Sequence, residues 1–312
     1  MNGIARSLQR EDNTLLPTVL VVMSCFCFGT IPYFARSLTD AGMASYAVAF
    51  YRYGLSAVVL LPLLLRLPAE QRTTMLWGVA SGVAVGLSWV GYVEALKTVP
   101  VSTVGVLYMT YPVFTLLIGW LWFRDKPSGR AFIGASLVVL AAMIAGSPAA
   151  VGPEHLPALL VSLTAPVGFG IGINILVHKL NPIRPLMRMA TFTVGASLSL
   201  LPLMMATEPA AVLPQRVDDW ILVAGLALGT AFLPQLVYAT FARRIGAARA
   251  AVAGSIELPT MFLIGWIALG ESISWLQWFC CLLVTVAILL TPARTTVTLP
   301  AQMAVTKKRV DR

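Results

Sequence analysis

Two ionisable side chains fall deep inside long apolar runs, Arg52 and Glu257. A charge at the centre of a bilayer costs at least about 2.5–3.5 kcal/mol on insertion scales, so each needs a reason. Glu257 stands nine residues into the run 248–269, and Pro259 follows it. Proline has no N–H to give to the carbonyl of Ser255, which predicts a locally loosened helix. A carboxyl at that depth suits the proton relay of a coupled carrier. A protonated acid bonded to a neighbouring helix purely for packing is the other reading. Arg52 lies eight residues from the outer end of its run, too deep to snorkel comfortably. It is expected to face a wet cavity or a carboxylate, with Glu257 or Glu94 as candidates. A fixed ion pair and a contact with a substrate anion both remain open. Glu94 and Lys97 are spaced i, i+3 and read as a salt bridge at the outer rim.

Aromatic residues form a second group. Trp89 and Tyr92 share one helical face, Tyr108, Tyr111 and Thr115 another, and Gln235 and Tyr238 a third. Tyrosines at mid-depth are unusual against lipid, where aromatic belts sit at the interfaces. Arg52, Trp89, Tyr92, Tyr108, Tyr111, Gln235, Tyr238 and Glu257 are therefore expected to line a substrate cavity, with Glu257 also handling protons. Trp77, Trp120, Trp122, Trp275 and Trp278 lie near run ends and read as belt residues. Cys25, Cys27, Cys280 and Cys281 all sit in apolar runs, where they serve as small packing side chains rather than disulfides or metal ligands. Gly168-Phe169-Gly170 follows no strand and is not a nucleotide loop; it and Gly78/Gly82/Gly86 read as helix-packing faces. No Walker motif, metal-ligand histidine pair or nucleophile–base set is present, and no cofactor is expected.

The elements that must position these residues follow from composition. Only 11% of the 312 residues are charged, and mean hydropathy is +0.83. Soluble domains carry about 25% charge, so a soluble enzyme, a disulfide scaffold, a coiled coil and a disordered chain are excluded. Ten apolar runs are long enough to cross a bilayer as helix: about 17–36, 44–65, 74–96, 102–123, 129–147, 156–178, 188–206, 219–241, 248–269 and 275–292. They are continuously apolar rather than alternating, which excludes a barrel. The first run is too long for a signal-peptide core and lacks a cleavage site, so it is expected to be a retained span. Alternate links hold eighteen Lys and Arg against three on the other side. By the positive-inside rule both termini are cytoplasmic. The net charge of +9 is thus a topology signal, not a sign of nucleic-acid binding.

The chain also repeats itself. A shift of 146 residues lays Ile118-Gly119-Trp120 on Ile264-Gly265-Trp266, Asp125 on Glu271, Tyr92 on Tyr238 and Tyr111 on Glu257. Each half holds five runs, an odd number, so the second copy enters from the opposite side. The expected architecture is an all-α integral membrane protein with ten transmembrane helices in two inverted five-helix repeats. Residues 17–147 and 156–292 form the repeats, 148–155 the linker, 1–16 a cytoplasmic tail and 293–312 a basic cytoplasmic tail.

Certain motifs of the two halves resemble the EamA family of the drug/metabolite transporter superfamily. In the second half Arg244-Ile245-Gly246-Ala247-Ala248-Arg249-Ala250 leads to Glu257-Leu258-Pro259, then Gly265-Trp266 and Leu269-Gly270-Glu271. In the first, Pro100-Val101-Ser102 leads to Tyr111-Pro112 and Gly119-Trp120. Departures are Phe123-Arg124-Asp125 where the family usually has Leu-Gly-Glu, Phe28-Gly29 where Trp-Gly is common, and Leu258 between Glu257 and Pro259. The resemblance implies export or exchange of small metabolites, often amino acids. With the inverted repeat, it makes a secondary transporter in the cytoplasmic (inner) membrane the leading expectation, with a small-molecule substrate and protons as coupling ion. An intramembrane enzyme acting on a lipid-linked substrate is the alternative.

Overall fold

The computed structural model describes residues 2–64, 68–125, 128–145, 152–245, 250 and 253–290, without the side chains of residues 2–14, 69 and 243. The basic tail, residues 148–151 of the linker, Gly246–Arg249 of the second-half motif, Arg66 and Lys126 lie outside the described residues. All regular structure among them is helical, and seven helical stretches are long and apolar enough to span a membrane. Three shorter apolar helices, Gly129–Ala145, Glu257–Leu269 and Trp275–Leu290, accompany them. Only helices satisfy every backbone polar group within one segment, which is what an apolar run in lipid requires.

The helices run α1 (Asn2–Gly29), α2 (Ile31–Asp40), α3 (Ser45–Leu64), α4 (Arg72–Leu96), α5 (Val101–Tyr108), α6 (Tyr111–Phe123) and α7 (Gly129–Ala145) in the first half. The second half holds α8 (Leu156–Ser162), α9 (Thr164–His178), α10 (Pro185–Met205), the short α11 (Pro209–Val212), α12 (Val217–Ala224), α13 (Leu233–Ile245), α14 (Glu257–Leu269) and α15 (Trp275–Leu290). A π-helical stretch, Gly225–Phe232, joins α12 to α13.

Four of the apolar runs are interrupted near their middles, and each interruption has a proline just beyond it. The breaks fall at Thr30 before Pro32, at Met109–Thr110 before Pro112, at Leu163 before Pro166 and at Ser255–Ile256 before Pro259. The first turn of a helix has no use for its N–H groups, so a proline is tolerated where a helix restarts and penalised where one continues. The local loosening expected at Pro259 is seen at Ser255–Ile256, where the helical hydrogen bonding is interrupted while Ile256 keeps right-handed backbone (φ −72°, ψ −24°), and Glu257 opens the next helical segment. Pro234 stands just after the π stretch, whose wider turns accommodate its missing donor. Hydroxyls add a bond to carbonyls beside three of the breaks, which also accept a backbone N–H: Thr30 donates to Cys27 O (2.7 Å), Thr110 to Leu107 O (2.6 Å) and Thr164 to Val161 O (2.7 Å).

Packing obeys the internal repeat. Helix α4 packs on α9 and α10, and its counterpart, the π stretch with α13, packs on α1 and α3. Helices α3 and α10, and likewise α7 and α15, each pack a helix on its own repeat-mate, while α6 packs on α9 and α14 packs on α1 and α5. Glycines allow the closest approaches. A Cβ on Gly82 would lie 2.0 Å from Phe192 O, and one on Gly195 2.1 Å from Val79 O, so α4 and α10 meet backbone to backbone. A Cβ on Gly29 would meet Thr260 at 2.5 Å and Glu257 O at 2.7 Å, which brings the first break against the start of α14.

Candidate functional site

Arg52, Trp89, Tyr92, Tyr108 and Tyr111 come together in one chain of contacts, the first three from the unbroken α3 and α4 and the last two from either side of a break. Arg52, on α3, lays its guanidinium over the indole of Trp89, 3.6 Å from the ring centroid, and 5.3 Å from that of Tyr53. Such stacking holds a cation at about 0.5–2 kcal/mol, depending on desolvation. From Trp89 the rings continue in contact: Tyr92 at 4.7 Å, Tyr108 a further 5.6 Å, Tyr111 a further 5.8 Å, and Phe169 at 5.0 Å from Tyr111. Tyr108 closes α5 and Tyr111 opens α6, so the break at Met109–Thr110 lets both rings join one chain. Trp89, Tyr92 and Tyr108 are buried, whereas Arg52, Tyr111 and Glu257 are half-buried.

Glu257 opens α14, where the positive end of the helix dipole favours a carboxylate. It lies close enough to Arg52, Tyr92, Tyr108, Tyr111 and Tyr238 for its charge to act on each. Neither candidate carboxylate, Glu257 or Glu94, pairs with Arg52 among the described residues. Among the described residues Arg52 is in no ion pair; Glu94 instead accepts from Lys97 (2.8 Å) and Ser45 (2.6 Å), the rim bridge expected from its spacing. Tyr238 packs on Phe28 at 6.3 Å, one break away from the main ring chain. Gln235 is half-buried one turn before it and makes no hydrogen bond among the described residues, so nothing joins it to the others.

Several residues of this region escaped sequence reading. Tyr53 and Phe169 complete the ring chain; the first was overshadowed by its neighbour Arg52, the second sat in a glycine pattern read as packing. Asn174 is fully buried and clamps α9 to α6 by donating to Thr115 O and Gly170 O, both at 2.9 Å. Gln277 is buried and donates to Ser102 Oγ at 3.0 Å, tying α15 to α5.

Acid–base pairs close the region at repeat-related positions. Glu271 Oε1 accepts from Val101 N–H (2.8 Å), the first residue of α5, and from Arg36 (3.3 Å). Arg36 is carried by α2, which extends past the end of the first apolar run to Asp40. Asp125, the repeat-mate of Glu271, faces His178 at 3.3 Å, whose ring stacks on Phe123. Both acids follow a left-handed residue, Arg124 (φ 56°) or Gly270 (φ 68°), and both donate their N–H to a glycine carbonyl, Gly119 O or Gly265 O.

An all-helical membrane body with repeat-related breaks around a shared polar and aromatic interior defines a transporter-like class of fold. The EamA-like transporter family model matches residues 15–147 and again 156–292, and the chain belongs to that family. It is accordingly an integral multi-pass membrane protein. A solved structure described only as "Crystal structure of protein" is similar at a TM-score of 0.60 and 14% identity, over 95% of this chain and 99% of that one, which is a likeness of fold. No curated protein matches the chain.

Proposed function

We propose that the chain is a secondary transporter that moves a small metabolite by alternating access, as exporter or exchanger. Its ten spans form two inverted five-helix repeats, residues 17–147 and 156–292, in the cytoplasmic membrane with both termini in the cytoplasm. The observation that carries this reading is the set of mid-run helix breaks, found in the first and fourth runs of both halves. The backbone at these breaks stays in the right-handed helical region, so each is a kink, and backbone groups freed at a kink in lipid must be satisfied by neighbouring helices or by water in a cavity. In inverted-repeat carriers it is the half-helix ends that meet substrate and coupling ion. Here such ends flank Arg52, Trp89, Tyr92, Tyr108, Tyr111 and Glu257, which we assign to the substrate path, together with Tyr238 and Gln235 on its second-half side. Glu257 is the proton-coupling group, placed at a half-helix start among tyrosine hydroxyls. Deleting and overexpressing the gene should change uptake, efflux or resistance for at least one compound of a metabolite panel. A panel in which no compound responds contradicts transport.

A further inference from the structure

The two acid–base pairs at repeat-related positions share a feature that packing alone does not require: each joins one half of the chain to the other. Glu271, beyond α14 in the second half, meets Arg36 on α2 in the first at 3.3 Å. Asp125, beyond α6 in the first half, meets His178 at the end of α9 in the second, also at 3.3 Å. The acids are repeat-mates, and Arg36 and His178 each end the first apolar run of their half. In the inverted arrangement proposed above, the pairs fall at opposite membrane faces. Other contacts between halves accompany the outer pair: Val101 N–H donates to Glu271 (2.8 Å), Gln277 to Ser102 (3.0 Å) and Ala44 N–H to Ala211 O (2.9 Å), and the hydroxyls of Tyr46 and Thr207 meet. At the inner pair, the His178 ring stacks on Phe123 of the first half at 4.1 Å, while Lys179 is drawn away over Trp77. All four paired side chains are half-buried, so water can take over each partner when the pair parts.

Two similar halves that rock about a midplane site must separate at one face while they stay closed at the other. Contacts within one half travel with it unbroken, whereas contacts between halves at a face are made and lost in every cycle. We infer that Arg36–Glu271 and His178–Asp125 are the outer and inner latches of this motion, each holding its face shut while the other parts. The inference rests on the transport reading above and adds the residues that gate it.

The test is hydrogen–deuterium exchange, read by mass spectrometry, on the full chain in lipid nanodiscs without substrate. An amide that exchanges through local opening does so in proportion to the population open there. The N–H groups of Ala44 and Val101 report on the outer face, because each donates across it; segments 119–125 and 177–184 report on the inner face. Arg36→Ala leaves the bond from Val101 to Glu271 in place, yet should raise exchange at Ala44 and Val101 about two- to fivefold, the worth of a partly exposed pair, with the inner segments unchanged. Arg36→Lys keeps the charge and should return both amides toward wild-type exchange. His178→Phe keeps a ring to stack on Phe123, and should raise exchange in the inner segments by a similar factor while Ala44 and Val101 stay as in wild type. A pair that merely braced its own helices would loosen only the segments that carry it, 34–38 and 269–273 for Arg36→Ala. A rise confined to those segments, a rise at both faces in either single variant, or no rise at all would each overturn the latches. The efflux panel separates this from the reading beneath it: exchange without face selectivity in a chain that transports refutes the latches alone, whereas a wild-type panel without response refutes transport and the cycle the latches serve.

Discussion

Glu271 offers a quantitative test of how the outer ends of the half-helices are held. Its Oε1 meets both the first N–H of α5 and the Arg36 guanidinium, and its side chain is only 12% exposed. Glu271→Ala strips Val101 of its acceptor at a helix start, worth about 0.5–2 kcal/mol for a lost cap. It also frees Arg36, which is 26% exposed and can regain water, so that part amounts to about 0–1 kcal/mol. The total is about 0.5–3 kcal/mol. Glu271→Gln keeps a side-chain oxygen for Val101 and loses only the charge, at about 1 kcal/mol or less. Arg36→Ala should match the Gln variant. Fluorescence-detected size-exclusion chromatography after a heating series ranks the three. An Arg36→Ala variant as unstable as Glu271→Ala would refute the assignment of the larger share to the α5 cap.

Further outcomes follow from the same contacts. Arg124 pays for a left-handed backbone that Gly270 adopts freely, so Arg124→Gly should raise thermal stability by about 1–2 kcal/mol; an unchanged or lower midpoint contradicts this. Gly82→Ala should sharply reduce folded protein, since its Cβ would lie 2.0 Å from Phe192 O, whereas Gly54→Ala, whose nearest neighbour would be 3.5 Å away, should be tolerated; equal yields of the two in membranes would count against the α4–α10 contact. Tag-accessibility mapping should find the C-terminal tail in the cytoplasm and the 270–274 link outside, and the reverse would overturn the charge-based topology.

The membrane character, the two-part family architecture and the aromatic grouping were all legible in the residues, because apolar run length and a 146-residue offset are properties of the sequence itself. The breaks were only partly so. Pro32, Pro112, Pro166 and Pro259 mark them, but Pro62 and Pro202 lie inside α3 and α10, which remain continuous. What decides between the two outcomes is whether neighbours can satisfy the freed backbone groups, and that is a property of packing. The surroundings of Arg52 stayed open in the sequence for a related reason. Depth in a run places an ionisable group near others, but the choice of Glu94 between Arg52 and Lys97 depended on Ser45 arriving from the start of α3. Tyr53 and Phe169 join the site through ring geometry between runs, which no spacing within one run reveals.

The most direct test of the transport reading is gradient-driven flux through purified protein in liposomes, using a compound identified by the efflux panel, for wild type and Glu257→Gln. The amide keeps the size of the acid and most of its hydrogen bonds but cannot carry a proton. Proton-driven net flux should be lost in the variant while substrate–substrate exchange survives at least in part. Unchanged gradient-driven flux in Glu257→Gln would contradict proton coupling at the start of α14.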